Sequence, residues 1–271
     1  MSTRDKYELK ILGCGSSPGV PRIGNDWGAC DPANPRNSRL RCSALVRRTS
    51  ERGETTDVLI DTSPDLRRQA LDARLARVDG VIYTHAHADH LHGIDDLRAF
   101  VLNTRKRVEI YADDSTLAHL RYAFSYCFTT PPGSDYPPIL NANRIEAGVA
   151  VHVSGSAGPL SALPIKQTHG RSHTLGLRFG SLAYSPDVSA LDDDAAAKLQ
   201  DLDVWILDAL RYKPHPSHFS VAEALEWIKR LKPRRAILTH MHVDLDYEAL
   251  RRELPSNVEP AYDGMVVDFA A

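Results

Sequence analysis

Between positions 84 and 90 the chain reads Thr-His-Ala-His-Ala-Asp-His, with three histidines and a carboxylate within residues 85–90, directly after the apolar run Val81-Ile82-Tyr83. Polar and titratable groups are costly to gather at the end of a buried strand, and a metal ion is the partner that offsets that cost. The apolar run predicts a short strand, and Gly93 followed by the pattern from Ile94 predicts a helix, so the cluster is a strand-to-helix loop. In a locally extended backbone alternate side chains share a face. His85 and His87 can then reach one ion together while Asp89 and His90 diverge towards another, which suits two neighbouring cations better than one.

The pattern His85-x-His87-x-Asp89-His90 after a strand resembles the signature of the metallo-β-lactamase superfamily, with every position present. The resemblance implies an α/β fold, a four-layer αββα metallo-β-lactamase sandwich, with a dinuclear site at one edge and further ligands in later strand-end loops. His169 ends the run Leu163–Thr168 and precedes Gly170; His173 competes across the spacer Gly170-Arg171-Ser172, and the strand-end position favours His169. Asp187, in Tyr184-Ser185-Pro186-Asp187, stands where the family has an aspartate bridging both metals, although Ser-Pro-Asp is also ordinary turn chemistry. His240 closes the apolar run Ala236–Thr239. The implied set is one ion on His85, His87, His169 and Asp187, and a second on Asp89, His90, Asp187 and His240. Zinc and manganese both suit these donors, with room for a shared water or hydroxide.

Two more histidines, His215 and His218, follow the strand-like run Val204–Leu207. Ser220 and Glu223 form a Ser-x-x-Glu capping box ahead of a helical pattern, so His218 lies just before a helix N-terminus, where free N–H groups favour an anion. The segment resembles the histidine-bearing loop of the superfamily's phosphodiesterase branch, which includes tRNase Z and the cyclic-phosphate phosphodiesterases of phosphonate breakdown. That resemblance assigns His218 to phosphate contact and protonation of the leaving oxygen, with His215 as runner-up. The opening Leu12-Gly13-Cys14-Gly15-Ser16-Ser17-Pro18-Gly19 is similar to the glycine-rich start of the same branch, and Ser16 is a candidate for contact with substrate or ligands. Asp61, ending Val58–Ile60, is expected to orient a ligand rather than bind metal. The phosphonate-pathway relatives carry a cysteine cluster after the glycine-rich turn that holds a structural zinc. Here only Cys30 stands at that place, with Asp26 and His242 as weak substitutes, and no structural zinc is expected.

A chain of 271 residues with 42% hydrophobic content can form one domain over 1–271. A formal net charge of −2 argues against a broad basic surface for duplex or transfer RNA and favours a small anionic, phosphate-containing substrate. Arg98, Arg171, Arg211 and Lys213 are candidate phosphate contacts. Cys14, Cys30, Cys42 and Cys127 show no close paired spacing and no secretory signal precedes Tyr7, which reads as reduced thiols in a cytoplasmic protein; no membrane span is expected. Strands and helices alternate along most of the chain, in two similar halves that suit two sheets. Helices are expected at Pro64–Leu75, Ile94–Leu102, Ser115–Ala123, Ala190–Leu199 and Val221–Leu231. The Pro- and aromatic-rich region from Phe124 to Ala147 reads as an ordered loop that walls the active site, covers a partner subunit in a homodimer, or packs on its own core.

Together these readings predict a dinuclear metal-dependent phosphodiesterase acting on a small phosphodiester, such as a cyclic phosphate or cyclic nucleotide. A metal-bridging hydroxide is the expected nucleophile and His218 the expected acid. A hydrolase like the pyrroloquinoline-quinone biosynthesis protein shares the glycine-rich opening and is the nearer rival. A non-catalytic metal- or nucleotide-binding regulator on the same fold is the alternative of another class.

Overall fold

The computed structural model describes residues 5–271, so the first four residues of the expected domain lie outside the described residues. Its first half contains β1 (Lys6–Gly13), β2 (Ser43–Thr49), β3 (Thr55–Ile60), α1 (Leu66–Asp72), β4 (Gly80–Ile82), α2 (Ala88–Leu91), α3 (Leu97–Thr104), β5 (Val108–Ala112), α4 (Asp114–Ala123) and β6 (Leu140–Arg144). The second half contains β7 (Val151–Val153), β8 (Leu160–His169), β9 (Ser172–Phe179), β10 (Leu182–Ser185), α5 (Asp193–Lys198), β11 (Val204–Asp208), α6 (Val221–Leu231), β12 (Arg235–Thr239), α7 (Tyr247–Glu253), β13 (Val258–Pro260) and β14 (Val266–Phe269). Two seven-stranded sheets result, ordered β14-β1-β2-β3-β4-β5-β6 and β13-β12-β11-β10-β9-β8-β7. Each mixes antiparallel and parallel neighbours.

The two-residue period of the strands separates the layers. Val58 and Ile60 of β3 join Ala44 and Val46 of β2 in a core shared with Leu177, Trp205 and Ile237 of the other sheet. Leu59 and Leu45, on the opposite face, pack instead with Leu66, Leu97, Phe100 and Leu120 of α1, α3 and α4. β10 and β11 are buried along their whole length, as parallel strands covered on both faces must be. The stripe Ala224, Ile228 and Leu231 of α6, at i, i+4 and i+7, joins their core. The layers are therefore those of an α/β sandwich. No helix among the described residues is long and apolar enough to cross a membrane.

Several elements differ from the reading of the sequence. The region 124–147 is not irregular throughout, because β6 pairs in parallel with β5 at the sheet edge. Its apolar face is only Leu140 and Ala142, both on the helix-side core, and polar cross-strand bonds line the other face: the Asn141 and Asn143 side-chain amides donate to the Glu109 carboxylate at 2.6 and 2.8 Å. The expected helix from Ile94 begins as a 3-10 turn, Ile94–Asp96, before α3. β14 leaves the second half to pair antiparallel with β1, so each sheet is not one half of the chain.

Strand direction sets where a site can form. β10, β11 and β12 are parallel, and β8 runs the same way as β10 because two antiparallel steps separate them. Four strands therefore end on one rim, at His169, after Ser185, at Asp208 and before His240. A buried cation braces the loops beside that rim. Arg39 is 1% exposed, and its guanidinium donates to the carbonyls of His242 (3.3 Å) and Leu245 (2.6 Å) and to Asn37 Oδ1 (3.1 Å). Replacing Arg39 with Met removes three charge-assisted bonds from a buried site and leaves the His242 and Leu245 carbonyls only the Leu245 N–H and the Cys30 thiol as donors, and we expect a loss of about 2–4 kcal/mol in urea unfolding. A loss below about 1 kcal/mol would show that the loops hold without it.

Candidate metal centre

Extended backbone persists only as far as His87, which has φ −76° and ψ 150° and precedes α2. Asp89 and His90 lie on that single helical turn, so they diverge from His85 and His87 through a change of backbone conformation rather than through strand alternation. Donor atoms of His85, His87, His169 and Asp187 lie within 4.8 Å of one another, as do those of Asp89, His90 and His240. Asp187 stands between the two groups. Its Oδ2 is 3.8 Å from His85 Nε2 and 3.7 Å from His169 Nε2, while its Oδ1 is 3.2 Å from both His90 Nε2 and His240 Nδ1. Thr174 Oγ1 donates to the backbone carbonyl of Asp187 at 2.7 Å and fixes the main chain from which this carboxylate projects.

The inward-facing nitrogens are selected by the bonds made on the other side of each ring. Thr84 Oγ1 donates to Asp61 Oδ2 at 2.8 Å, so it accepts from His85 Nδ1–H at 3.0 Å and leaves Nε2 unprotonated. His90 Nδ1–H donates to Asp61 Oδ2 at 2.7 Å, and His169 Nδ1–H to the carbonyl of Ser217 at 2.5 Å. Gly170 makes the last contact available, because a Cβ there would sit 2.9 Å from Ser217 Cβ and its φ is +60°. Asp61 and His240 both follow a strand and both adopt left-handed φ, +62° and +58°. For residues with side chains this costs about 1–3 kcal/mol each, strain of the kind found where geometry serves a site.

Burial holds His85 and His169 below the ordinary histidine range and His240 at about 4, so their lone pairs are available at neutral pH. Burial would raise Asp187, but the protonated His90 outweighs it and keeps the carboxylate ionised. His90 is the exception: burial would lower it, yet Asp187 and Asp61 hold its proton well above the usual range. Ion binding at this position must release that proton. His90 Nε2, Asp187 Oδ1 and both ring nitrogens of His240 are buried without a hydrogen-bond partner. Unpaired polar atoms of this kind are rare, and their convergence with the nearby carboxylates fits divalent cations as the missing partners.

His218 adjoins this cluster. Its Nδ1 lies 2.7 Å from Asp208 Oδ2 and 3.9 Å from Asp187 Oδ2, and its ring stacks on His240 with centroids 4.7 Å apart. Burial opposes charge on the ring, but Asp208 and Asp187 raise its pKa to about 9; burial raises Asp208 as well, so the pair keeps a proton at neutral pH. The helix terminus behind His218 is not an open anion site. Ser220 N–H donates to Glu223, Val221 N–H to the Arg211 carbonyl and Glu223 N–H to Ser220 Oγ.

Other candidates fall elsewhere. His173 Nε2 bonds Asp113 at 2.8 Å, away from the ligand groups. His215 packs beside His218, with ring centroids 5.2 Å apart. His242 lies near Arg22 (3.5 Å) and Asp244 (3.3 Å); Asp26 is paired with Arg22, and Cys30 Sγ points to the Val243 and Leu245 carbonyls. Ser16 is buried with its hydroxyl unpartnered, whereas its neighbour Ser17 donates to Asp89 Oδ2 at 2.8 Å. Arg211 is engaged by the carbonyls of Lys213 and Pro214 in its own loop, and Arg98 lies over Tyr136. Ser17, Thr84 and Asp208 went unassigned in the sequence. Asp208 had a readable signal, the polar end of an apolar strand; Ser17 had none.

Residues 56–241 match the family model described as the β-lactamase superfamily domain. The chain is 31% identical over 260 residues to an octanoyltransferase from Porphyromonas gingivalis, covering 94% of this chain and 50% of that protein, so it spans about half the length of this curated relative. Among solved structures, a diphosphatase of the PhnP family is 35% identical, covers 97% of this chain and 98% of its own, and superposes with a TM-score of 0.86. Zinc-bound PqqB from Methylobacterium extorquens, 17% identical with 97% and 100% coverage and a TM-score of 0.73, shares the fold. With its two-sheet sandwich and converging histidines and aspartates, the chain belongs to the β-lactamase superfamily and has the metallo-β-lactamase fold.

Proposed function

We propose that this chain is a single-domain, dinuclear phosphodiesterase that hydrolyses a small phosphodiester, with cyclic phosphates and diphosphate diesters as the substrates to test first. The observation that carries this reading is the His218–Asp208 pair, a buried imidazole whose Nδ1 lies 2.7 Å from the Asp208 carboxylate and whose ring also groups with Asp187 and His240. Hydrolysis of a phosphodiester needs a proton for the departing oxygen, and this pair can give one at neutral pH. The likeness to a PhnP-family diphosphatase supports phosphoryl chemistry and extends the substrate class to P–O–P linkages.

One ion would be held by His85, His87, His169 and Asp187, the other by Asp89, His90, Asp187 and His240. When bound, two zinc or manganese ions would acidify a water and offset charge on the phosphoryl oxygens. Asp61 and Thr84 fix the rings of His90 and His85, and the Ser217 carbonyl fixes His169, so the ligands need little reorganisation. His218, with Nδ1 committed to Asp208, has Nε2 left for the leaving oxygen.

Asp187→Ala should leave fewer than two ions per chain by elemental analysis and abolish turnover; full activity with two ions would sink the bridging role. His218→Ala should keep both ions and lose about 10²–10⁴-fold in kcat. Loss of an ion in that variant would make His218 a ligand instead, and unchanged kcat would remove it from catalysis. Because Asp208 raises the pKa of His218, rising pH should remove the acid and give kcat an alkaline limb. Asp208→Asn should move that limb to lower pH, and a limb that stays in place would assign it to another group. Assays on cyclic and linear phosphodiesters and a diphosphate diester, run beside a thioester, test the reaction class. A chain that holds two ions and turns over none of them would be a binding protein.

A further inference from the structure

The glycine-rich turn after β1 is the motif to which the proposed reaction assigns no chemistry, yet it is pinned on three sides. Gly15 N–H donates to the Leu40 carbonyl (2.8 Å), and Asp263 accepts from Cys14 N–H (3.0 Å). Met241 N–H donates to the Cys14 carbonyl (2.8 Å) and Ser16 N–H to the Met241 carbonyl (3.2 Å). A Cβ on Gly13 would fall 2.1 Å from the Arg41 carbonyl, and one on Gly15 would fall 2.9 Å from that of Arg39. Only glycine permits so close an approach of the two backbones. Met241 directly follows His240, so the turn is spliced to the main chain that carries this histidine. Ser17, the residue after the splice, reaches across 72 positions of sequence to donate its hydroxyl to Asp89 Oδ2 at 2.8 Å. Ser17 is itself exposed, so the bond is not a by-product of burying its side chain.

We propose that this turn is a jig for one cation of the pair, with Ser17 as its positioning residue. The main chain of the turn sets His240 and the Ser17 hydroxyl sets the Asp89 carboxylate, the two residues that meet His90 in one ligand group. The other group is braced independently, His85 by Thr84 and His169 by Ser217. Affinity for one ion therefore depends on Ser17 and affinity for the other does not. The inference rests on reading Asp89, His90 and His240 as ligands.

The test is zinc titration of the metal-free full chain against a competing chelator, for the wild type, Ser17→Ala, Ser17→Thr and Asp89→Ala. We expect Ser17→Ala to weaken one of two binding steps by about tenfold or more while the other stays within about twofold, and Ser17→Thr to restore it. The thermal midpoint of the metal-free Ser17→Ala protein should match the wild type. Two unchanged steps, or two steps weakened together, would overturn the role of Ser17. If Asp89→Ala keeps both steps at wild-type affinity, or the wild type shows one step only, the ligand reading beneath the proposal fails instead.

Discussion

The carboxylate of Asp187 is the contact on which the rest of the site depends. Each of its oxygens faces a different pair of imidazoles, and at 1% exposure it has no water to share the load. An ionised carboxylate in such a place needs positive charge around it, and His90 with its retained proton is the nearest source the chain itself offers. One such proton is a poor match for a centre with five histidines and two aspartates converging on it. The candidate ligand groups gather more negative charge than the side chains can balance, which is the electrostatic case for bound metal ions.

The fold makes that convergence affordable by putting strand ends and the short segments just beyond them around the carboxylate. Strands ending together on one rim present their terminal residues to a common point, while the strands themselves remain apolar and fully buried. Left-handed turns at Asp61 and His240 then bend the chain immediately beyond β3 and β12. The candidate ligand groups are thereby gathered at a single edge of the sandwich.

Legibility followed how local the determinants were. The cluster 85–90 could be picked out because polar residues ending an apolar run are a contrast visible in one dimension, and the resemblance it carries then pointed to the strand-end residues His169, Asp187 and His240. The capping box of Ser220 and Glu223 was equally local, and both of its bonds are present. β6 was missed because its apolar face is only Leu140 and Ala142, and the asparagines between and beyond them find their partner, Glu109, on a strand more than thirty residues away. The same reason hid Ser17, whose only distinction is what lies opposite it. The Ser16 hydroxyl is buried without a partner, and main-chain bonds of the turn decide that its neighbour Ser17 faces Asp89.

Two imidazole–carboxylate pairs with nearly the same geometry serve opposite purposes here. His90 on Asp61 and His218 on Asp208 both use Nδ1 at 2.7 Å, and both pairs gain proton affinity from it. What separates them is access. His90 is fully enclosed, with Nε2 3.2 Å from Asp187, so a cation is the only species small enough to replace its second proton. His218 keeps 9% of its surface open, at the margin of the cluster, where a substrate oxygen can approach. In the proposed reaction the same bond strengthens a ligand in one place and stores a transferable proton in the other, and depth below the rim decides between the two.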